Sequence, residues 1–312
     1  MTGRRAILVR VATTVFVVAS LAFFAYSLVD AWSATNGEFP SLYRLIGAGA
    51  LWAVGLSSAA YGWAELLGGP KLDNGAALIV SQLGKYVPGG IVQATGQVGL
   101  ARSSGVTLKR AGTAFWVLAM TQAIAGFTWV LVLAATWTDA ALGLRLLLTV
   151  GSLASLALID RRWMVWALRR IPRTRDAAHD LVPGQRAIVI AWLACVVSLG
   201  AVSGAYVLLL GSFGPVGNPL FVMSGYAAAW TVGFLAIPIP AGVGIREAVL
   251  AAILHGVFPG SVLVATSVYL RLVLIVTEGL AALIVSHRVR PSRLAASRAA
   301  AEALNGDPAQ DG

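Results

Sequence analysis

Five ionisable residues sit in or beside apolar stretches of this 312-residue chain: Lys85, Arg246, Glu247, Arg271 and Glu278. A charge at the centre of a bilayer costs at least about 2.5–3.5 kcal/mol on insertion scales, so such residues face a cavity or one another and are seldom idle. Lys85 lies one turn before Pro88-Gly89-Gly90. Arg246 and Glu247 directly follow Pro238-Ile239-Pro240-Ala241-Gly242-Val243-Gly244. Arg271 and Glu278 are seven residues apart, two turns on one helix face, so both can look into a bundle. A helix restarting after Gly90 or Gly244 begins with free backbone N–H groups and a positive dipole end. Such ends favour anions, phosphate above all. With Lys85, Arg246 and Arg271 added, the expected site is basic and suited to an anionic headgroup. Glu247 and Glu278 would temper it, by pairing with the arginines or by carrying a proton. Gln93 and Gln97 follow the first break and can donate hydrogen bonds to a headgroup. The competing reading is that these charges only pair and lock the helices around them.

The surroundings of these residues set the class of protein. The chain is 58% hydrophobic and only 12% charged, and its mean hydropathy is +0.81. Soluble domains carry about a quarter charged residues. An integral membrane protein follows, which excludes a cytosolic enzyme, a secreted domain and a nucleic-acid reader. Spanning helices need roughly 20 mostly apolar residues. Six segments meet that: about 7–32, 45–67, 110–136, 141–159, 187–212 and 261–287. The first is too long an apolar run for a cleaved signal. Residues 76–101 and 219–256 are apolar but interrupted, at Pro88, Gly89 and Gly90 and at Pro238, Pro240, Gly242 and Gly244. Proline removes a donor and glycine frees the backbone, so both breaks end helices and supply hinges. Each stretch is expected to form a hairpin that enters and leaves the bilayer on one side.

Topology follows from the Lys and Arg count in the loops. With the N-terminus inside, 18 of the 23 Lys and Arg fall on the cytoplasmic side, and only Arg44 and Arg145 fall outside. Lys85, Arg246 and Arg271 are at membrane depth. Both termini are therefore expected in the cytoplasm. The first hairpin then opens inward and the second outward. Two halves, 7–136 and 141–287, each hold three spans and one hairpin and run in opposite directions, as an inverted repeat does. Pro88-Gly89-Gly90-Ile91 echoes Pro240-Ala241-Gly242-Val243 at corresponding places. Paired Gly/Pro breaks of this kind mark midplane sites of transporters. The expected fold is all-α and integral to the membrane, a single polytopic domain over residues 1–287. A short basic-to-polar cytoplasmic tail follows over 288–312.

Other chemistry finds little support. Cys195 is the single cysteine, His255 and His287 lack partners at metal spacing, and no nucleophile–base set or nucleotide loop can be assembled. No cofactor, metal or catalytic residue is expected. Arginine outnumbers lysine 20 to 3 and alanine is abundant, which points to a high-GC bacterial genome and so to a bacterial plasma membrane. Trp163 to Ile171, flanked by Arg161, Arg162, Arg169 and Arg170, is expected to lie flat at the inner surface.

Gln82-Leu83-Gly84-Lys85-Tyr86-Val87-Pro88-Gly89-Gly90, with Gly105-Val106, and Pro238 to Ala248, with Arg271 downstream, resemble motifs of a known family. It is the flippase-like family of the lysylphosphatidylglycerol synthase transmembrane region. The resemblance covers about residues 7 to 287. It implies lipid translocation, and carries Lys85, Pro88, Gly89, Gly90, Gly242, Gly244, Arg246, Glu247 and Arg271 over as site residues. The synthases bear a soluble aminoacyl-transfer domain after the membrane region; this sequence ends soon after its last apolar span. It is expected to move an anionic lipid, a phospholipid or a polyprenyl-phosphate-linked glycan, that a separate enzyme or glycosyltransferase makes. The alternative is a non-transporting scaffold for a lipid-dependent glycosyltransferase.

Overall fold

The computed structural model describes residues 37–86, 91–102, 105–172, 174–236 and 244–305, with Val29, Trp32, Ser33 and Thr35 before them. The expected first span, 7–32, lies almost wholly outside the described residues. So do six of the seven expected break residues, Pro88, Gly89, Gly90, Pro238, Pro240 and Gly242.

The described residues are helical, with no strand among them. The helices are α1 (Leu42–Leu67), α2 (Lys71–Gln82), α3 (Ile91–Arg102), α4 (Leu108–Thr136), α5 (Leu142–Leu156) and α6 (Arg161–Arg169). There follow α7 (Ala178–Leu181), α8 (Gln185–Leu210), α9 (Pro219–Leu235), α10 (Ile245–Ile253) and α11 (Gly260–Asn305). Five are long and apolar enough to cross a membrane: Leu42–Leu67, Leu108–Thr136, Leu142–Ile159, Gln185–Leu210 and Gly260–Ser286. The protein is a multi-pass membrane protein. α11 does not stop where the apolar run does; its backbone stays helical to Asn305, past Pro291, so the expected tail begins as helix. The alanines of 295–303 are strong helix formers and account for that.

Local chemistry sets the helix starts. Thr107 accepts a hydrogen bond from the Arg110 amide at 3.4 Å at the head of α4. Asp160 caps α6 through the Arg162 amide at 2.8 Å, and Asn218 caps α9 through that of Phe221 at 3.1 Å. Pro219 opens α9, where its missing N–H costs nothing.

At the centre α1 crosses α8 through small residues. A Cβ on Gly62 would come within 2.9 Å of the Ala194 methyl, and one on Gly55 within 3.0 Å of Ala201. Ser58 seals the crossing by donating to the Ala194 carbonyl at 3.1 Å. Close backbone approach replaces the hydrophobic effect as the glue between helices in lipid. Around that crossing, α2 packs on α1, α3 and α11, and α9 packs on α8, α10 and α4. One apolar cluster gathers Tyr206, Tyr226, Tyr269 and their neighbours, and a second gathers Trp63, Leu78, Ala111 and Leu168. α5 stands at the edge, with Leu142, Leu147 and Val150 exposed for lipid to cover.

The two arginines counted apart from the basic loops each sit on a helix C-terminus. Arg145 Nε donates to the Ala134 carbonyl at 2.9 Å, near the end of α4. The Arg44 guanidinium lies against Gly211, directly after α8. Cations there meet the negative end of the helix dipole.

Candidate functional site

The helix interruptions place the charges. α2 tightens into a 3₁₀ turn over Leu83–Tyr86, which carries Lys85, and the chain becomes helical again at Ile91. α9 ends at Leu235, and α10 starts at Ile245 after Gly244, whose φ of +87° suits glycine. Arg246 and Glu247 are therefore first-turn residues.

The expected charges assemble into two ion pairs, both on α11. Lys85 Nζ lies 2.5 Å from Glu278 Oε1, and Glu278 is fully buried. Trp52 Nε1 of α1 donates to the same oxygen at 3.1 Å, and the ammonium stands 5.8 Å from the Trp52 ring centre. Two turns earlier on α11, about 10 Å along the axis, Arg271 pairs with Glu247. The other carboxylate oxygen of Glu247, Oε2, accepts from the Gly244 amide at 2.8 Å. Arg271 and Glu278 thus do not pair with each other: each reaches a different broken segment, because the seven-residue spacing aligns them on one face.

Arg246 differs from the other two cations. Among the described residues it makes no ion pair; its guanidinium lies 4.7 Å over the Tyr226 ring. Tyr226 is stacked on Tyr206 at 4.5 Å, and the Tyr206 hydroxyl donates to the Leu263 carbonyl at 2.9 Å. The aromatic floor is therefore fixed, and Arg246 rests on a face that holds a cation without neutralising it. Three cations and two carboxylates leave the cluster with one positive charge in surplus.

Gln93 is engaged locally: its amide donates to Gln82 Oε1 at 3.1 Å, tying α3 to the end of α2. Gln97, deeper on α3, is 2% exposed, and its amide nitrogen has no hydrogen-bond partner among the described residues. Trp52 and Tyr226 belong to the site but carry no charge to betray them. Their mid-span position is a weak signal, since an aromatic with a polar edge needs a partner there but several other aromatics share that placement.

The arrangement can hold an anion at Arg246 beside a carboxylate that already spans a helix N-terminus and a second arginine. No protein-family model matches this chain, and no curated protein matches it.

Proposed function

We propose that this chain is a flippase-like protein that moves an anionic lipid between the leaflets of a bacterial plasma membrane. The motifs that resemble the lysylphosphatidylglycerol synthase transmembrane region suggested the reading. The observation that carries it is Arg246, a cation inside the bundle with no ion pair among the described residues, beside Arg271 and the first turn of α10. A phosphodiester spreads one negative charge over two oxygens, as a carboxylate does. It can take Arg246 first, then compete with Glu247 for Arg271 and the Gly244 amide. Displaced, Glu247 is the counter-charge that later expels the headgroup. Lys85 and Glu278 hold the other broken segment to the same face of α11.

The inverted repeat belongs to this proposal. Exchange α1 with α8, α2–α3 with α9–α10, and α4 with α11, and the packing relations map onto themselves. α2 packs on α11 as α9 packs on α4, α3 on α4 as α10 on α11, and α1 on α2 as α8 on α9. The α1–α8 crossing maps onto itself, and both helices have 26 residues. The arms of the first segment, 12 residues each, rise about 18 Å, and those of the second, 17 and 9 residues, about 26 and 14 Å; all fall short of a bilayer core of roughly 30 Å, which favours two re-entrant hairpins from opposite faces. With 7–32 as the sixth span, both termini are cytoplasmic. No enzymatic step is part of the reading; a separate enzyme or glycosyltransferase supplies the lipid.

The test is leaflet exchange in proteoliposomes, with labelled phosphatidylglycerol, aminoacyl-phosphatidylglycerol and a polyprenyl phosphate. Protein-dependent exchange of one of them, abolished in Arg246→Ala protein of unchanged melting temperature, is the expected result. Folded wild type that exchanges none of the three overturns the proposal.

A further inference from the structure

The short helix α6 presents two unlike faces. Met164, Val165 and Leu168 point inward and join the apolar cluster that also holds Leu78 of α2 and Ala101 of α3. Arg162, Trp163, Trp166, Arg169 and Arg170 share the other face and are all exposed. Trp163 and Trp166 are 50% and 51% exposed, far too open for core residues. Their rings meet edge to face at 5.8 Å, and the Arg170 guanidinium lies 4.5 Å over Trp166. No acidic residue falls between Arg161 and Arg175, and Asp160 is used as the α6 cap.

Arg161, expected as part of this basic surface, is spent elsewhere. Its Nε donates to the Pro183 carbonyl at 2.9 Å, and Nη2 donates to the carbonyls of His179 and Val182. Gln185 completes the clamp: its Oε1 accepts from the Arg161 amide at 2.7 Å, and its amide donates to the Ile159 carbonyl at 3.2 Å. The clamp fixes α6 against the start of α8, so the outward stripe is pre-positioned.

We infer that the Arg162–Trp163–Trp166–Arg169–Arg170 stripe is a binding surface for anionic phospholipid headgroups, separate from the buried charge cluster. Position favours lipid as the occupant. Asp160 alone separates α6 from the end of the apolar helix at Ile159, so the stripe starts where a span leaves the hydrocarbon. Tryptophan prefers that depth, with its ring among acyl chains and its N–H toward water. Arginine forks bind phosphate oxygens in pairs. Stacking Arg170 on Trp166 holds the guanidinium in plane while leaving its N–H edge for a phosphate. This inference does not depend on transport.

The experiment uses the full chain in nanodiscs of phosphatidylcholine with or without phosphatidylglycerol, and reads retained phosphatidylglycerol by native mass spectrometry. At about fivefold per arginine near an anionic surface, Arg162→Gln/Arg169→Gln/Arg170→Gln should bind roughly a hundredfold more weakly. Its melting temperature in pure phosphatidylcholine should match wild type. Arg161→Gln should do the opposite, lowering the melting temperature while retained lipid per folded molecule is kept. Raising the salt should weaken binding to wild type and hardly affect the triple variant. Equal retention of phosphatidylglycerol by wild type and the triple variant overturns the inference and leaves the stripe to an acidic soluble partner.

Discussion

The α2–α3 and α9–α10 segments are each tied to α11 by one ion pair, yet their first helices are packed differently. α9 meets α4 through close packing: a Cβ on Gly126 would fall 2.2 Å from Thr231 Oγ1, and residues Ser224 to Ala229 are all buried. α2 meets α11 beside one ion pair, Lys85–Glu278, with Trp52 donating to it. Its partner α3 buries little beyond Gln97, Leu100 and Ala101. Interdigitated small residues hold one arrangement, because any shift opens voids or clashes. An ion pair on a flexible lysine tolerates sliding. α9 is thus the more closely packed first helix, and α3, which buries few residues, is expected to shift first when Lys85 or Glu278 is changed.

The most damaging change should be at the packed contact. Gly126→Ala gains about 1 kcal/mol of helix propensity, but its methyl would lie inside the Thr231 side chain. Overpacking costs typically 1–3 kcal/mol and sometimes more, so the clash wins. A marked fall in melting temperature in detergent is expected, recovered in part by Gly126→Ala/Thr231→Gly. A harmless Gly126→Ala would break the comparison at its root, since α9 would then be no tighter than α2.

Next come the two halves of the ion pair, and they should not be equal. Lys85→Met takes the ammonium from Glu278, which is fully buried and keeps Trp52 as a donor, whereas Glu278→Gln takes the carboxylate from Lys85, whose side chain is 31% exposed and can reach water. Breaking a buried pair costs about 3–5 kcal/mol, while replacing both partners is often neutral. Lys85→Met should therefore lower stability more than Glu278→Gln, and Lys85→Met/Glu278→Gln should recover most of the loss. Amide exchange localises the effect: opening is expected over 91–102 and not over 219–235. Equal opening of both segments would show that they move as one.

The residues explain how much of this was legible beforehand. Span positions could be read because apolar length is one-dimensional: the described helices begin or end within a few residues of the limits expected for 45–67, 110–136, 187–212 and 261–287. The charged residues could be singled out because burial of charge is costly wherever it occurs. Their partners could not. Spacing put Arg271 and Glu278 on one face, but which hairpin residue meets each depends on how α2 and α10 lie against α11, and that is a three-dimensional fact. Trp52, Tyr226 and the Gly126–Thr231 contact were hidden for the same reason: in a chain this rich in aromatics and glycine, residue type alone does not distinguish them. The clamp made by Arg161 could not be read because its carbonyl acceptors come from a turn some twenty residues on.

Arg246 should separate function from stability. It makes no ion pair among the described residues, and its contact with Tyr226 is a cation–π stack worth about 1 kcal/mol or somewhat more when desolvated. Arg246→Gln should shift the melting temperature little, yet lose anionic-lipid exchange wholly under the proposed function. Glu247→Gln sharpens the point. It weakens the pair with Arg271 and frees the arginines for a phosphate, so lipid should bind more tightly and leave more slowly. Weaker binding in Glu247→Gln, with the fold intact, would mean that Glu247 orients the arginines and does not compete with the headgroup.

The smallest effect should come from Gln93. Its hydrogen bond to Gln82 joins the two arms of the first segment across the break, where the pairing is partly exposed. A neutral hydrogen bond contributes about 0.5–1.5 kcal/mol net, and Gln93→Ala leaves the Gln82 carbonyl able to reach other donors. The expected loss of global stability is therefore about 1 kcal/mol or less, near the limit of a detergent melt. Local opening is the better reading: amide exchange across 91–102 should quicken several-fold while the Lys85 turn stays protected by Glu278. If Gln93→Ala instead frees the Lys85 turn as well, the ion pair is not what holds this segment to α11. The contrast with α9 would then lie in the amount of packing alone.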